Sequence, residues 1–236
     1  MARRMTSATV TALVIGWAIP VAAQAPFVAG SIADSAACAL HVWPAGPIDA
    51  VTQGDLWNHT VNQAFDPARG GVARPDVLAV DSQRALLAEI GLADLLGLGG
   101  AQLVIHVDQP PRVSAITGRA PLAAVETECH VELIVARIFY DRAPLAGRSL
   151  KSLITIRQFR PDGQIVASYT TWGETALIRF PPKPGDDLAA ADAELVAAYL
   201  ANLRQVATLA AIAPDRKGRR RPAAGTLPLP QPKAPS

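Results

Sequence analysis

Residues 150–180 decide the fold, and they read L-K-S-L-I-T-I-R-Q-F-R-P-D-G-Q-I-V-A-S-Y-T-T-W-G-E-T-A-L-I-R-F. Two runs rich in apolar and β-branched residues, 150–160 and 165–180, flank the dipeptide Asp162-Gly163. Such runs favour β-strands, and Asp-Gly between them is a strong signal for a hairpin turn. The stretch therefore predicts two long antiparallel strands.

This hairpin also predicts a register. If Asp162 and Gly163 form the loop, Lys151 lies opposite Glu174 on the neighbouring strand. Opposite charges at paired positions attract, so we expect a cross-strand ion pair that contributes roughly 0.2–1 kcal/mol.

Further elements surround the hairpin. An apolar run at 129–140 predicts a third strand, and prolines at 181, 182 and 184 end the sheet. Asp186 or Asp187 is placed to cap a final helix, 188–209, whose apolar stripe contains Leu195, Tyr199, Leu203 and Val206.

The upstream half contains shorter elements. Strands are expected at 39–43 and 103–107. A helix is expected over 50–65, where Trp57, Val61 and Phe65 recur at a spacing of four. A second helix is expected to begin after a cap at Asp81 or Ser82, to break at Gly91 and to stop at the glycines of 97–100.

Together these elements predict a single α+β domain over 24–213. We expect an antiparallel sheet of about four to six strands, with the C-terminal helix and one or two other helices packed on it. The chain has 236 residues, of which 50% are hydrophobic and 18% charged, so a disordered chain is excluded.

The first 23 residues predict a cleaved signal peptide. Arg3 and Arg4 precede an uncharged run, 10–23, which ends in small residues. The run is short of the ~20 residues that a membrane-spanning helix needs, which disfavours an uncleaved anchor. We therefore expect a secreted or periplasmic protein, cut after Ala23.

The cysteine count agrees with export. Only Cys38 and Cys129 are present, and two cysteines in an oxidising compartment favour a disulfide. A bridge over so long a loop stabilises by roughly 4–5 kcal/mol in the chain-entropy model. Two buried free thiols are the alternative.

Residues 214–236 form a tail rich in proline and basic residues. Its composition favours an extended, solvated chain and predicts disorder. A basic cluster in the tail is a candidate contact for an anionic lipid or polysaccharide surface; a disordered extension without that role is the alternative. The cluster consists of Arg216, Lys217, Arg219, Arg220 and Arg221.

The charge of the body differs from that of the whole chain. The signal segment and the tail contain eight of the 22 basic residues and one of the 20 acidic residues, so the body carries about −5. A negative body disfavours nucleic-acid binding.

Sequence motifs for chemistry are absent. The chain has no phosphate-binding Gly-Lys loop, no H-E-x-x-H and no G-x-S-x-G. The glycines of 97–100 follow a predicted helix, the reverse of a dinucleotide-binding turn. We therefore expect no cofactor and no catalytic residue, and the four histidines, which are His41, His59, His106 and His130, show no metal-ligand spacing.

One polar pattern stands out between residues 126 and 132. Glu126, Glu128, His130 and Glu132 alternate, so on a strand they share one face. They are weak candidates for a divalent-cation site, because neighbouring same-face residues are ~7 Å apart and need a further ligand from another strand. The alternative is a solvated sheet face paired with Arg157 or Arg160.

Several longer segments resemble a group of uncharacterised exported bacterial proteins. They are C-A-L-H-V-W-P at 38–44, G-L-A-D-L-L-G-L at 91–98, S-Y-T-T-W-G-E-T-A-L-I-R-F-P-P-K-P at 168–184 and A-N-L-R at 201–204. More loosely, the order of elements is similar to envelope accessory domains, namely the auxiliary lipoproteins of lipid-transport ABC systems and the curli-secretion-type domain. The chain lacks their lipidated cysteine near the N-terminus. The resemblance implies binding of partners and no catalytic residues.

We therefore expect a non-enzymatic, exported envelope accessory protein that binds an envelope protein partner or a membrane surface. A periplasmic carrier of a small lipid or amphiphile is the first alternative. A hydrolase with a site built from His106, His130 and the glutamates is the second.

Overall fold

A computed structural model describes residues 38–53, 59–61, 65, 73–107, 118–143, 145 and 147–212. The predicted signal peptide and tail lie outside the described residues. The strands are β1 (Cys38–Trp43), β2 (Asp49–Gln53), β3 (His59–Val61), β4 (Gln102–Ile105), β5 (Cys129–Ala143), β6 (Gly147–Phe159) and β7 (Ile165–Ala176). The helices are α1 (Val80–Glu89), α2 (Leu92–Leu95) and α3 (Leu188–Ile212), with a 3-10 turn at Asp76–Leu78.

The α+β class is confirmed, with the C-terminal helix α3 packed on the sheet. The sheet has seven strands in the part of the chain that the structure describes, and it is mixed, whereas we expected an antiparallel one. β5 pairs antiparallel with β6 along one side and parallel with β1 and then β2 along the other. β1 also pairs parallel with β4. Parallel pairing needs a crossover connection, and the chain between these two strands, which includes α1 and α2, supplies it.

The β6–β7 hairpin has the predicted register, with Lys151 paired with Glu174. Its loop is one residue longer than expected, because Arg160 N–H donates to Gln164 O and leaves residues 161–163 as the turn. Gly163 adopts a positive φ of 76° there, as in a three-residue loop with a bulge. A register shift after Gln158 then brings the strands into the predicted pairing.

The helices cover one face of the sheet, which we call the helix face. Alternate residues of β1 and β5 point into this core, including Leu40, Val131 and Leu133. The predicted stripe of α3 is buried there, with Leu195 and Tyr199 at 0% exposure. Asp187 Oδ1 accepts a hydrogen bond from Ala190 N–H, as expected of a helix cap.

The disulfide between Cys38 and Cys129 is present. These residues are directly paired on the parallel strands β1 and β5, with Cα atoms 4.5 Å apart and a sequence separation of 91. The bridge therefore fastens the first described strand to the centre of the sheet.

The helix expected over 50–65 is not formed in the described part of that range. Residues 49–53 and 59–61 are strands that pair with each other, and β2 also pairs with β5. Its apolar spacing of four fits a helix, but Val51 and Thr52 favour strands and Gly54 disfavours a helix. Pairing with the long strand β5 outweighs the periodicity.

The start of α1 also differs from the prediction. The helix begins at Val80 after Ala79, with no side-chain cap, because the 3-10 turn leads directly into it. Ser82 Oγ donates instead to Asp76 O at 2.9 Å. The expected break is present: Gly91 has a φ of 65° and separates α1 from α2.

No helix among the described residues has both the length and the apolar character required to cross a membrane.

Candidate functional site

The face of the sheet opposite the helices, which we call the second face, contains charged and aromatic residues from β1, β5, β6 and β7. A bulge between Val135 and Arg137 shifts the alternation of β5, so that His130 and Glu132 lie on this face at one end and Phe139 at the other. The second face thus has a buried half around Glu132 and a half around Phe139 that includes an exposed tryptophan.

Three histidines stack across the buried half. Each comes from a different strand region: His41 lies on β1, His106 directly follows β4, and His130 lies on β5. The His41 ring lies 5.2 Å from that of His106 and 4.5 Å from that of His130, and His41 Nδ1 is 3.0 Å from His106 Nε2. Trp43 stacks on His106, with ring centroids 4.0 Å apart. The four rings form one continuous layer.

A buried ion pair adjoins this stack. Glu132 Oε2 lies 2.5 Å from Arg157 Nη2, and both side chains are fully buried. The other carboxylate oxygen accepts hydrogen bonds from the backbone N–H groups of Leu122 and Ala123, at 2.6 and 3.3 Å. Arg157 Nη1 donates to Gly118 O at 2.9 Å. The segment around 118–123 is therefore held onto the second face by this pair.

The environment sets the charge states in the buried half. Burial and the neighbouring rings of His130 and His106 lower the pKa of His41 to about 4, against a weaker opposing effect of Glu132. Burial by itself would raise the pKa of Glu132, but the hydrogen bond from His130, the charge of Arg157 and the two backbone N–H groups hold it below its ordinary value. His41 is thus neutral and Glu132 ionised near pH 7.

The predicted carboxylate stripe is divided in the structure. Glu126 and Glu128 precede β5 and are exposed, whereas His130 and Glu132 are buried within it. The solvated-face interpretation is therefore wrong for His130 and Glu132, because the segment around 118–123 covers them; the predicted pairing with Arg157 is present for Glu132. No group of three or more His, Cys, Asp or Glu side chains in the described residues could hold a metal ion.

The residues of the hydrolase alternative are not brought together at an accessible point. His130 Nε2 lies 3.3 Å from Glu132 Oε1, but both side chains have 0% exposure. His106 lies on the other side of His41, and Glu126 and Glu128 are outside the strand.

The other half of the second face has an aromatic patch, which we define as Phe139, Leu153 and Trp172. They lie on β5, β6 and β7, and Leu153 is directly paired with Trp172. Trp172 packs edge-on against Phe139, with ring centroids 5.3 Å apart, and is 43% exposed. The Arg137 guanidinium lies 5.5 Å from the Phe139 centroid. A large aromatic side chain is therefore only partly covered.

Charged groups form a network beside the aromatic patch. Lys151 Nζ lies 2.7 Å from Asp141 Oδ2 and 3.4 Å from Glu174 Oε1, and Ser149 Oγ donates to Glu174 at 2.9 Å. Burial would lower the pKa of Lys151, but its hydrogen bond to Asp141 and the two carboxylates raise it. The ion pair expected for Lys151 and Glu174 is thus part of a three-residue network.

Comparison with known proteins gives no functional assignment. No family model matches this chain, and no curated protein sequence does. A crystal structure of a Xanthomonas campestris protein of the DUF330 family is 16% identical, covers 72% of this chain and 79% of that one, and has a TM-score of 0.36. A crystal structure of an uncharacterised protein is 14% identical, covers 73% and 88%, and has a TM-score of 0.30. Likenesses at these TM-scores do not bear on what this chain does.

Two features of the second face were not predicted from the sequence. The histidine stack has no local sequence signal, because residues 41, 106 and 130 meet only through parallel pairing of β1 with β4 and β5. The aromatic patch depends on the bulge in β5, which brings Phe139 to the second face beside Trp172. The sequence signal at Trp172 is a tryptophan in a hydroxyl-rich strand, which fits core packing as well as a ligand cleft.

Proposed function

We propose that this chain is a non-enzymatic, exported accessory protein of the cell envelope that acts by non-covalent binding of a protein partner through the aromatic patch. The single observation that carries the proposal is Trp172, a tryptophan 43% exposed on a sheet face beside Phe139. Tryptophan, tyrosine and arginine dominate the binding energy of protein interfaces.

The surroundings of Trp172 support a protein rather than a lipid as the ligand. The ion-pair network of Lys151, Asp141 and Glu174 adjoins the aromatic patch. An apolar centre with a polar rim is the usual anatomy of a protein interface, whereas a lipid carrier needs a dry, enclosed cavity.

Export is supported by two independent features. The N-terminal segment has the charge and apolar pattern of a signal peptide, and the body contains the Cys38–Cys129 disulfide. Disulfides persist mainly in oxidising compartments, such as the bacterial periplasm.

The test is recovery of a partner from the host envelope by affinity purification after cross-linking in living cells. The variant is Trp172→Ala, and the matched control is Leu145→Ala, which removes another large, exposed apolar side chain outside the aromatic patch. We expect one protein to be recovered with the wild type and the control and to be lost, by at least tenfold, with Trp172→Ala.

Two results would contradict this proposal. Recovery of the same proteins by all three chains would show that the aromatic patch is not the interface. A lipid retained in native mass spectrometry of the wild type and lost in Trp172→Ala would favour the carrier alternative. The melting temperatures of both variants must stay near that of the wild type for the comparison to hold.

A further inference from the structure

We infer that the partner binds as an extended peptide strand added to the outer edge of β7. This inference rests on the proposed function, because Trp172 belongs both to the aromatic patch and to that edge. In the described part of the chain β7 pairs with β6 on one side only, so its other side is an open edge of the sheet.

A hydrogen bond at the end of β7 identifies which of its backbone groups face outward. Leu177 N–H, directly after β7, donates to Arg148 O on β6. The backbone N–H and C=O groups of the odd-numbered residues of β7 therefore face β6. Backbone groups alternate along a strand. Ser168, Thr170 and Trp172 therefore direct their N–H and C=O groups to the open edge.

Glu174 supports this assignment. Glu174 is also even-numbered, so its N–H faces away from β6. This N–H donates to Gln205 Oε1 on α3 at 3.0 Å. One end of the edge is thus closed by a side chain of this protein. The outward backbone groups of Ser168, Thr170 and Trp172 form no hydrogen bond with any residue that the structure describes.

The sequence of β7 does not protect this edge. Natural edge strands are usually short, or contain Lys, Pro or bulges that prevent pairing with another chain. β7 has 12 residues, Ile165–Ala176, with Glu174 as its only charge and no Pro or Lys. Its one bulge lies at the start of the strand, before Ala167, and its pairing with β6 is regular from Ala167 to Ala176. The strands at the other side of the sheet, β3 and β4, have only 3 and 4 residues. The edge from Ala167 to Ala176 has no such protection and is long enough for strand addition.

The packing of α3 favours a single strand over a second copy of the chain. A Cβ at Gly173 would lie 2.7 Å from Asn202 Cβ and 2.8 Å from Asn202 O, so the helix lies directly against β7. Antiparallel pairing of two β7 strands would place both α3 helices on the same face. Paired strands are ~4.8 Å apart, whereas packed helices need about 8–10 Å. A peptide strand without a helix avoids this conflict.

The edge also defines the chemistry of the peptide. Its residues beside Trp172 on the second face are expected to be aromatic or β-branched, because such cross-strand neighbours pack well. Its residues that hydrogen-bond to β7 cannot be proline, which lacks the N–H group. The peptide is expected to be neutral where it runs along the uncharged part of β7, between Ile165 and Gly173.

The probe for the test is a phage-displayed library of random ten-residue peptides, selected on the mature full-length protein. The best peptide is then synthesised in two forms, N-methylated on alternate residues in one frame or in the other. Strand addition predicts that methylation in the frame facing β7 weakens binding at least tenfold, while the other frame stays within threefold of the unmodified peptide.

A matched pair of protein variants tests the same edge. Ser168→Pro removes an N–H that faces the open edge and leaves the hydrogen bonds between β6 and β7 in place. Ser168→Ala removes only the hydroxyl. We expect at least tenfold weaker peptide binding for Ser168→Pro and unchanged binding for Ser168→Ala. In the wild type, bound peptide should also slow hydrogen exchange of the Thr170 and Trp172 amides.

The outcomes separate this inference from the proposed function. If Trp172→Ala abolishes peptide binding but both methylated peptides bind equally well, the aromatic patch remains the interface and strand addition is overturned. Failure to enrich any peptide would also overturn it. The Thr170 and Trp172 amides could also be protected in the free protein. If the free protein dimerises in sedimentation, the edge is occupied by a second copy; if the protection is lost when the tail 214–236 is deleted, the edge is occupied by the tail.

Discussion

Glu132 and Arg157 lie directly opposite each other on β5 and β6, with both side chains fully buried and Oε2 2.5 Å from Nη2. Neither charge is compensated by solvent. The carboxylate is also bonded by the backbone of residues 122 and 123, and the guanidinium by the carbonyl of Gly118. The pair therefore joins the sheet to the segment that covers it.

We expect removal of either charge to be strongly destabilising. Glu132→Gln leaves a buried guanidinium uncompensated, and Arg157→Met leaves a buried carboxylate. Each should lower the free energy of unfolding by about 3–5 kcal/mol in urea titration, because an unpaired buried charge is costly. The double variant Glu132→Leu with Arg157→Met should cost clearly less than the sum of the single changes.

Glu128→Gln is the matched control, because Glu128 is exposed and lies only four residues before Glu132. Its effect should stay within about 0.5 kcal/mol, as for most surface changes. Costs below about 1 kcal/mol for both buried variants would contradict the assigned role of the ion pair.

How far the sequence predicts this site depends on the range of the contacts. The pairing of Lys151 with Glu174 follows from one local turn, and the predicted register is present. The histidine stack needs β1 to lie between β4 and β5, and nothing local encodes that parallel order. The burial of Glu132 depends on a covering segment, so alternation alone suggested a solvated face.

The disulfide contributes to stability through the chain length it closes. A cross-link between residues 91 positions apart removes much conformational freedom from the unfolded chain. Replacing both Cys38 and Cys129 by Ala should lower the free energy of unfolding by about 2–5 kcal/mol. Urea titration of the variant, beside the wild type with and without reductant, measures the effect; an unchanged midpoint would show that the bridge does not stabilise the fold.

Gly173 is expected to be intolerant of any side chain. A Cβ there would lie 2.7–2.9 Å from Cβ, O and Cα of Asn202, and two of these atoms belong to the backbone of α3. Gly173→Ala must therefore move the helix and should cost about 1–3 kcal/mol. Gly99→Ala is the control, because the nearest atom to its Cβ is a side-chain oxygen of Asp94 at 3.3 Å. Equal melting temperatures for the two variants would contradict this packing.

Close packing at Gly173 also explains what the sequence could and could not indicate about α3. Its apolar stripe, with Leu195, Tyr199 and Leu203, predicted a helix that covers the sheet, and these residues are buried. Asn202 carries no such signal, yet its amide donates to Leu150 O and Ser152 Oγ and accepts from Thr175. A polar residue in a helix does not reveal which strands will satisfy it.

Stability should fall with acid because of His41. Its pKa is about 4 in the folded protein, below the ordinary 6.5, so between these values the unfolded chain binds the proton and the folded protein does not. The contribution of His41 to the free energy of unfolding is therefore complete above pH 6.5 and is lost as the pH falls toward 4. Glu132, with its lowered pKa, loses its contribution only at lower pH.

His41→Phe tests this effect, because it keeps a stacking ring and removes the titrating group. The variant should cost about 1 kcal/mol at pH 7.5 through the lost hydrogen bond to His106, which is 3.0 Å long. Between pH 7 and 5, however, its free energy of unfolding should decline less steeply than that of the wild type. Parallel curves from urea titrations across this range would show that protonation of His41 is not coupled to folding.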